Sequence, residues 1–181
     1  YGRMKSAPNH IKFCPSCGDC SIEPQDDVSV LCSTCGFELF FSPATSAAAL
    51  IEDASGKLLV IKRNKEPSKG AFGLPGGFAD PNETLENTLI REVKEEVNLD
   101  LVSWSFLGGW PNKYPFKSVI YSVVDTYFTA KVESFDGMDS CQEELQSIHF
   151  VDPDKIDPKE WAFPSLQNAI QLYLSQRNRS E

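Results

Sequence analysis

Residues Gly76 to Leu99 read GGFADPNETLENTLIREVKEEVNL, and the second half of this stretch is a helix by its pattern. Leu85, Leu89, Val93 and Val97 recur every four residues and make one apolar stripe. Asn82 or Thr84 can supply an N-cap oxygen ahead of it. Beside the stripe stand Glu92, Glu95 and Glu96, which at about 100° per residue share roughly a third of the helix circumference. Like charges so placed repel, so the arrangement asks for a cation among them. Clustered carboxylate oxygens suit a hard divalent ion such as Mg²⁺, with phosphate completing its shell. Just upstream, Leu74-Pro75-Gly76-Gly77 reads as a loop whose glycines let backbone approach a ligand or ion, with one carbonyl as a further ligand.

Outward from this stretch, the 181 residues suffice for one full domain and a small module. The net charge of -9 argues against a broad nucleic-acid or anionic-membrane surface. It leaves a polyphosphate substrate open, because bound metal ions reverse the local sign. No apolar run reaches the ~18 to 20 residues of a membrane helix, so no membrane partner is expected. With no secretory signal in the sequence given, the six cysteines point to metal rather than disulfides, and so to a reducing, cytoplasmic setting.

Four of those cysteines stand in two matched turns, Cys14-Pro-Ser-Cys17-Gly18 and Cys32-Ser-Thr-Cys35-Gly36. Two such turns are what a four-thiolate Zn²⁺ ribbon needs, and residues 10–41 are read as that module. So small a module has little core, so the metal supplies much of its stability. Cys20 is read as a spare thiol and Cys141 as a small hydrophobe. Lys12 stands against Asp19, Glu23, Asp26, Asp27 and Glu38, which favours a structural role, or contact with a second subunit, over nucleic acid.

Residues 1–9 read as a flexible lead, 42–176 as the main domain and 177–181 as a frayed tail. Ala44–Glu52 and Lys57–Arg63 read as a strand hairpin around Asp53–Gly56. Val102–Leu107, Val119–Lys131 and Ile148–Val151 read as later strands, with Gly108–Ser118 as a connector. Pro164–Leu174 reads as a closing helix with Leu166, Ile170 and Leu174 on one face. Of the basic run Lys62, Arg63, Lys65 and Lys69, most is a solvated face. Arg63, placed just before the glycine loop, suits a phosphate contact. Strands and helices in this order give a mixed α/β pattern.

The loop and helix resemble the Nudix hydrolase signature G-x5-E-x7-R-E-U-x-E-E-x-G-U, where U is a bulky aliphatic. Gly77, Glu83, Arg91, Glu92, Val93, Glu95, Glu96 and Leu99 match in place. The last glycine is Asn98, the residue that best replaces glycine in a left-handed cap. The resemblance, over Ala44 to Leu174, implies the family's α/β/α sandwich with a mixed sheet. It implies Mg²⁺ or Mn²⁺ on Glu92 and Glu96 with Glu95 assisting and the Gly76 carbonyl as a further ligand. It also pairs Glu83 with Arg91, and implies hydrolysis of a nucleoside diphosphate linked to another group. A further glutamate before a late strand is matched by Glu144, with Glu143 as alternate, as ligand or general base. His149 is read as a strand residue.

A zinc ribbon ahead of this domain resembles the NADH pyrophosphatase group, which carries S-Q-P-W-P-F-P-x-S after the signature. Trp110-Pro-Asn-Lys-Tyr-Pro-Phe-Lys-Ser118 occupies that place, with Pro115, Phe116 and Ser118 alike and the rest reordered. The implied substrate is a nucleotide-derived small molecule, NADH or ADP-ribose, giving AMP. Trp110, Tyr114 and Phe116 would stack on its rings, or else pack over a sheet edge. Nucleoside triphosphate hydrolysis and a non-catalytic nucleotide-binding regulator are the alternatives. The family's common dimers make a homodimer one candidate assembly.

Overall fold

The computed structural model describes residues 5–139 and 145–179. In chain order its strands and α-helices are β1 (Lys5–Ser6), β2 (Ile22–Pro24), β3 (Ser29–Cys32), β4 (Glu38–Phe40), β5 (Ala44–Ile51), β6 (Leu58–Arg63), β7 (Phe72–Gly73), β8 (Gly76–Phe78), α1 (Leu85–Val97), β9 (Leu101–Phe116), β10 (Val119–Val132), β11 (Leu145–Val151) and α2 (Pro164–Arg177). They group into two units, residues 1–44 with 113–123, and residues 45–112 with 124–181.

In the first unit β2, β3 and β4 form a small antiparallel sheet with β3 in the middle. Its core is little more than Ile22, Val30, Cys14 and Cys32, flanked by Ile11, Phe37, Leu39 and Phe41. That is too small an apolar cluster to hold a fold unaided. Lys5 and Ser6 pair in parallel with Val119 and Ile120, and a 3₁₀ turn over Ala7–His10 follows. Of the stretch read as a flexible lead, Lys5 and Ser6 are therefore part of a sheet and Ala7–Asn9 of a 3₁₀ turn. Its two strand residues gain order from a strand more than a hundred positions later, which no local pattern could reveal.

In the second unit the alternation of β5 sets the layers. Ala47, Ala49 and Ile51 share one core with Leu59, Ile61, Phe128, Ala130 and the α1 stripe of Leu89, Val93 and Val97. Leu50, the neighbour on the opposite face, joins Leu58, Val60, Leu74, Tyr127 and Trp161 against Leu166, Ala169, Ile170 and Tyr173 of α2. Successive strand side chains point to opposite faces, so β5, β6 and β10 each serve both helices at once. The result is helix, sheet, helix, the expected α/β/α arrangement.

The hairpin expected from β5 and β6 opens after a single bridge between Glu52 and Leu58. β5 then runs between β10 and β8, whereas β6 lies between β11 and β7. Asp53 holds the turn, accepting from the backbone of Ser55 and Lys57. The Gly108–Ser118 connector is instead strand as far as Phe116. β9 runs unbroken to Phe116 and turns through Lys117, at φ 53°, into β10. Among the described residues β9 pairs only with β10, and such an edge strand tolerates Pro111 and Pro115. α2 begins at Pro164 as read but continues to Arg177, whose Nη1 donates to Gly56 O at 3.0 Å. That residue is thus anchored, not frayed.

Candidate active site

Helix α1 is delimited as its sequence asks. Thr84, not Asn82, is the N-cap, its Oγ1 accepting from Asn87 N at 3.2 Å. Asn98 ends the helix at φ 53°, ψ 35°, and its amide donates to Gly137 O at 2.8 Å. Asparagine takes this left-handed turn with little strain. Leu89, Val93 and Val97 are fully buried, which leaves the glutamate face turned toward the glycine segment.

Arg91 organises that face. Its Nε and Nη2 grip the two oxygens of Glu83 at 2.8 and 2.9 Å, while Nη1 reaches Glu92 at 2.8 Å and Glu95 at 3.2 Å. Nη2 also donates to Phe78 O at 3.1 Å, tying β8 to the helix. The repulsion expected among the three glutamates is thus offset from within the chain. Glu83 further accepts from Asp80 N and the Thr88 hydroxyl. Chiefly through the Arg91 fork, its carboxyl is held down at about 2. Glu83 in turn holds the Arg91 guanidinium above its ordinary range.

The glycine segment meets the helix at two points. Gly76 N donates to Glu96 Oε2 at 2.9 Å, and Glu96 is buried, with 7% of its surface exposed. Gly76 itself has φ 150°, and a Cβ there would lie 2.2 Å from Ala47 O. Gly77 lies so near Glu92 that a Cβ would sit 2.5 Å from its carboxyl carbon. β5 clamps this segment from both ends, Ala49 N donating to Pro75 O and Thr45 O accepting from Ala79 N, each at 2.9 Å. Carboxylate oxygens are the donor type that a hard divalent ion takes, and Glu92 stands beside the Gly77 cradle.

Of the other anticipated contacts, Arg63 Nε donates to Pro67 O at 3.0 Å and its guanidinium lies over the Phe163 ring. Trp110 is half-buried, its ring 5.9 Å from that of Tyr127. Tyr114 and Phe116 belong to the first unit. His149 is a β11 residue opposite Val60 and meets the edge of Phe72. Glu143, Glu144 and Cys141 lie outside the described residues.

A cluster absent from the sequence reading surrounds Asp125 of β10. Its carboxylate accepts from Ser46 Oγ at 2.7 Å, Asn112 Nδ2 at 2.8 Å and Ser165 Oγ. Tyr127 OH donates to Ser165 Oγ at 3.1 Å, and burial pushes the Tyr127 phenol up. The signal available was a lone aspartate inside the apolar run from Val119 to Val132, a place where strands seldom keep a carboxylate.

In the first unit, Cys14, Cys17, Cys32 and Cys35 bring their sulfurs within 4.8 Å of one another. The two turns repeat each other, Gly18 N donating to Cys14 O at 2.8 Å and Gly36 N to Cys32 O at 2.9 Å. The pairs Cys14–Cys35 and Cys17–Cys32 are both 3.7 Å apart. A tetrahedral zinc with bonds of about 2.3 Å sets its sulfurs about 3.8 Å apart, so the spacing fits that ion. Burial pushes the Cys14 thiol up, but the Cys17 and Ser16 N–H groups outweigh it and bring it down to about 7. Cys20 is exposed and outside the cluster.

The NUDIX domain profile matches residues 42–172. The chain belongs to the Nudix hydrolase family. Among curated Nudix relatives, the ADP-ribose pyrophosphatase of Methanocaldococcus jannaschii is 41% identical over 86 residues, covering 46% of this chain and 50% of that protein. The NAD-capped RNA hydrolase NudC of Haemophilus influenzae is 26% identical over 117 residues, covering 63% and 44%. NudC of Pseudomonas aeruginosa is 23% identical over 172 residues, covering 93% and 58%. The chain thus spans about half the length of the curated relatives it matches. Of solved structures, a NUDIX hydrolase from Nitrosomonas europaea superposes with a TM-score of 0.69 at 24% identity, covering 94% of each chain. The NUDIX domain of Shewanella oneidensis NrtR, complexed with ADP ribose, gives 0.61 at 22%, covering 76% and 90%. These two likenesses carry the fold. No described helix is long and apolar enough to cross a membrane.

Proposed function

We propose that this Nudix hydrolase cleaves the pyrophosphate of a nucleoside diphosphate joined to a second moiety, ADP-ribose or NADH, and releases AMP. The observation that carries the reading is the junction of the glycine segment and helix α1, where Gly76 N meets Glu96 and Gly77 abuts Glu92. Glu92 and Glu96, assisted by Glu95 and the Gly76 carbonyl, would hold Mg²⁺ or Mn²⁺. When bound, such an ion neutralises phosphate charge and lowers the pKa of a coordinated water. The chain's own contribution is rigidity: Arg91 and Glu83 fix the loop to the helix, and Glu96 fixes Gly76. Glu144 is proposed as the further carboxylate. Water oxygen bonds to one phosphorus, the bridging P–O bond breaks, and the proton released from water passes to a base. Cys14, Cys17, Cys32 and Cys35 are proposed to hold one structural Zn²⁺.

ADP-ribose takes precedence over NADH because the stronger local identity, 41%, is to a protein named for it, while the motif of the NADH group is reordered here. The test is product analysis with Mg²⁺ and with Mn²⁺ on ADP-ribose, NADH, NAD-capped RNA and nucleoside triphosphates. AMP from ADP-ribose is expected to form fastest. Triphosphates cleaved fastest, with NADH and ADP-ribose untouched, would move the chain to the alternative reading. Tight nucleotide binding with no turnover in either metal would make it a non-catalytic binder.

A further inference from the structure

We infer that Asp125, outside the family signature, is a positioning residue for the glycine segment of the proposed hydrolase site. Asp125 is buried, with 9% of its surface exposed, and among the described residues its hydrogen-bond partners are three neutral donors rather than a cation. A carboxylate is the acceptor-only group that can serve three donors at once. Asparagine has the same shape but would turn an NH₂ group toward at least one of them.

What the carboxylate holds is one end of β5. Its Oδ1 takes the Ser46 hydroxyl, and the neighbouring Thr126 Oγ1 donates to Ser46 O. Ser46 is therefore fastened to β10 through both its side chain and its carbonyl. On its other edge Ser46 is the register partner of Phe78 in β8. Next to that pair Ala79 N donates to Thr45 O, and Phe78 O receives Arg91 Nη2. Fastening Ser46 thus fixes the strand against which Gly76–Phe78 lies, and so the distance of Gly76 and Gly77 from Glu96 and Glu92. Of the three donors, Asn112 comes from β9 and Ser165 from the first turn of α2, so Asp125 joins elements on several sides to the edge of the site.

The decisive comparison is Ser46→Ala against Tyr127→Phe. Both remove one hydroxyl from the same cluster, but only the Ser46 hydroxyl bonds β5 to Asp125, whereas that of Tyr127 goes to Ser165. The readouts are amide exchange at Gly76 and Ala79, Mn²⁺ affinity by electron paramagnetic resonance, and melting temperature. Partners that orient a metal's ligands typically change affinity by about 10- to 100-fold. Ser46→Ala and Asp125→Asn are therefore expected to weaken Mn²⁺ binding about tenfold and speed exchange at both amides by a similar factor. Ser46→Thr, which keeps the hydroxyl, should restore both. Tyr127→Phe should lower the melting temperature yet leave Mn²⁺ affinity and exchange within about twofold of the original. Equal losses in Ser46→Ala and Tyr127→Phe, or unchanged exchange in Ser46→Ala, would overturn the inference. It rests on the proposed site, but exchange and Mn²⁺ binding are read without substrate. A failed hydrolysis assay and a failed positioning role therefore give different results.

Discussion

Arg91 grips Glu83 with both prongs of its guanidinium, Nε on one carboxyl oxygen and Nη2 on the other, across eight positions of sequence. A two-pronged pair is among the stronger and more directional contacts a protein makes. Because this carboxyl is depressed to about 2 from an ordinary 4.5, the sign of its pH effect is fixed. The stability it contributes is fully present above the ordinary value and is lost as pH falls through that window toward about 2. The gap in melting temperature between the natural chain and Glu83→Gln should be constant above pH 4.5 and narrow below it. A gap that stayed constant through that window would show that charge plays no part in the pairing.

The two glycines should respond differently to alanine. At Gly76 the added Cβ meets backbone, 2.2 Å from Ala47 O and 2.5 Å from Ala48 Cα. Overpacking against backbone costs about 1–3 kcal/mol or more, so Gly76→Ala should lower the melting temperature clearly. At Gly77 the obstacle is the Glu92 carboxyl, which can swing away. Gly77→Ala should melt within a few degrees of the original while losing Mn²⁺ affinity, measured by titration calorimetry. Equal melting losses at both positions would contradict this reading of the crowding.

Glu92 and Glu96 also separate. Partial exposure limits the Arg91–Glu92 contact to about 0.2–1 kcal/mol, the range of surface ion pairs. Glu92→Gln should therefore lower metal-free stability slightly, where repulsion between bare carboxylates would have raised it. Glu96→Gln retains an oxygen for Gly76 N but loses a proposed metal ligand. Its turnover should fall by more than the ~10- to 100-fold typical of groups one step removed from a metal. Steady-state rates in saturating Mg²⁺ decide this, and turnover at the original rate would remove Glu96 from the metal site.

For the four thiols, elemental analysis should find about one zinc per chain, and Cys32→Ser should lose it. Since the first unit has so few buried apolar side chains, chelation should unfold residues of that unit, as seen by loss of amide protection from Ile22 to Cys32. Two disulfides in a metal-free chain would end the zinc assignment.

The legible parts of this protein are those where a local repeat encodes a local outcome. The four-residue spacing of Leu85, Leu89, Val93 and Val97 gave α1, and the matched turns gave the cysteine cluster. The spacing of Glu83 to Arg91 became an observed pair only through a resemblance. Where partners lie far apart in sequence, the reading stopped. Nothing near Asp125 announces Ser46 or Ser165, about 79 and 40 positions away. Pro111 and Pro115 speak against a strand until one knows that, among the described residues, β9 has only β10 as its neighbour. Lys5 and Ser6 have no pattern of their own and take their order from Val119 and Ile120.

That last pairing bears on how the chain could be divided. The family's border at residue 42 marks shared ancestry, but cohesion follows another line, with residues 113–123 grouped with the cysteine-bearing part. A chain trimmed to start at residue 42 would keep the tip of the β9–β10 turn and discard the strand that pairs with it. The tip already presents Phe116 and Tyr121 to solvent, and it would add the unsatisfied backbone of Val119 and Ile120. Exposed rings beside an open strand edge invite self-association, so the trimmed form should clump where the whole chain does not. A cut at residue 42 therefore runs through the unit that carries the cysteines, not along its border.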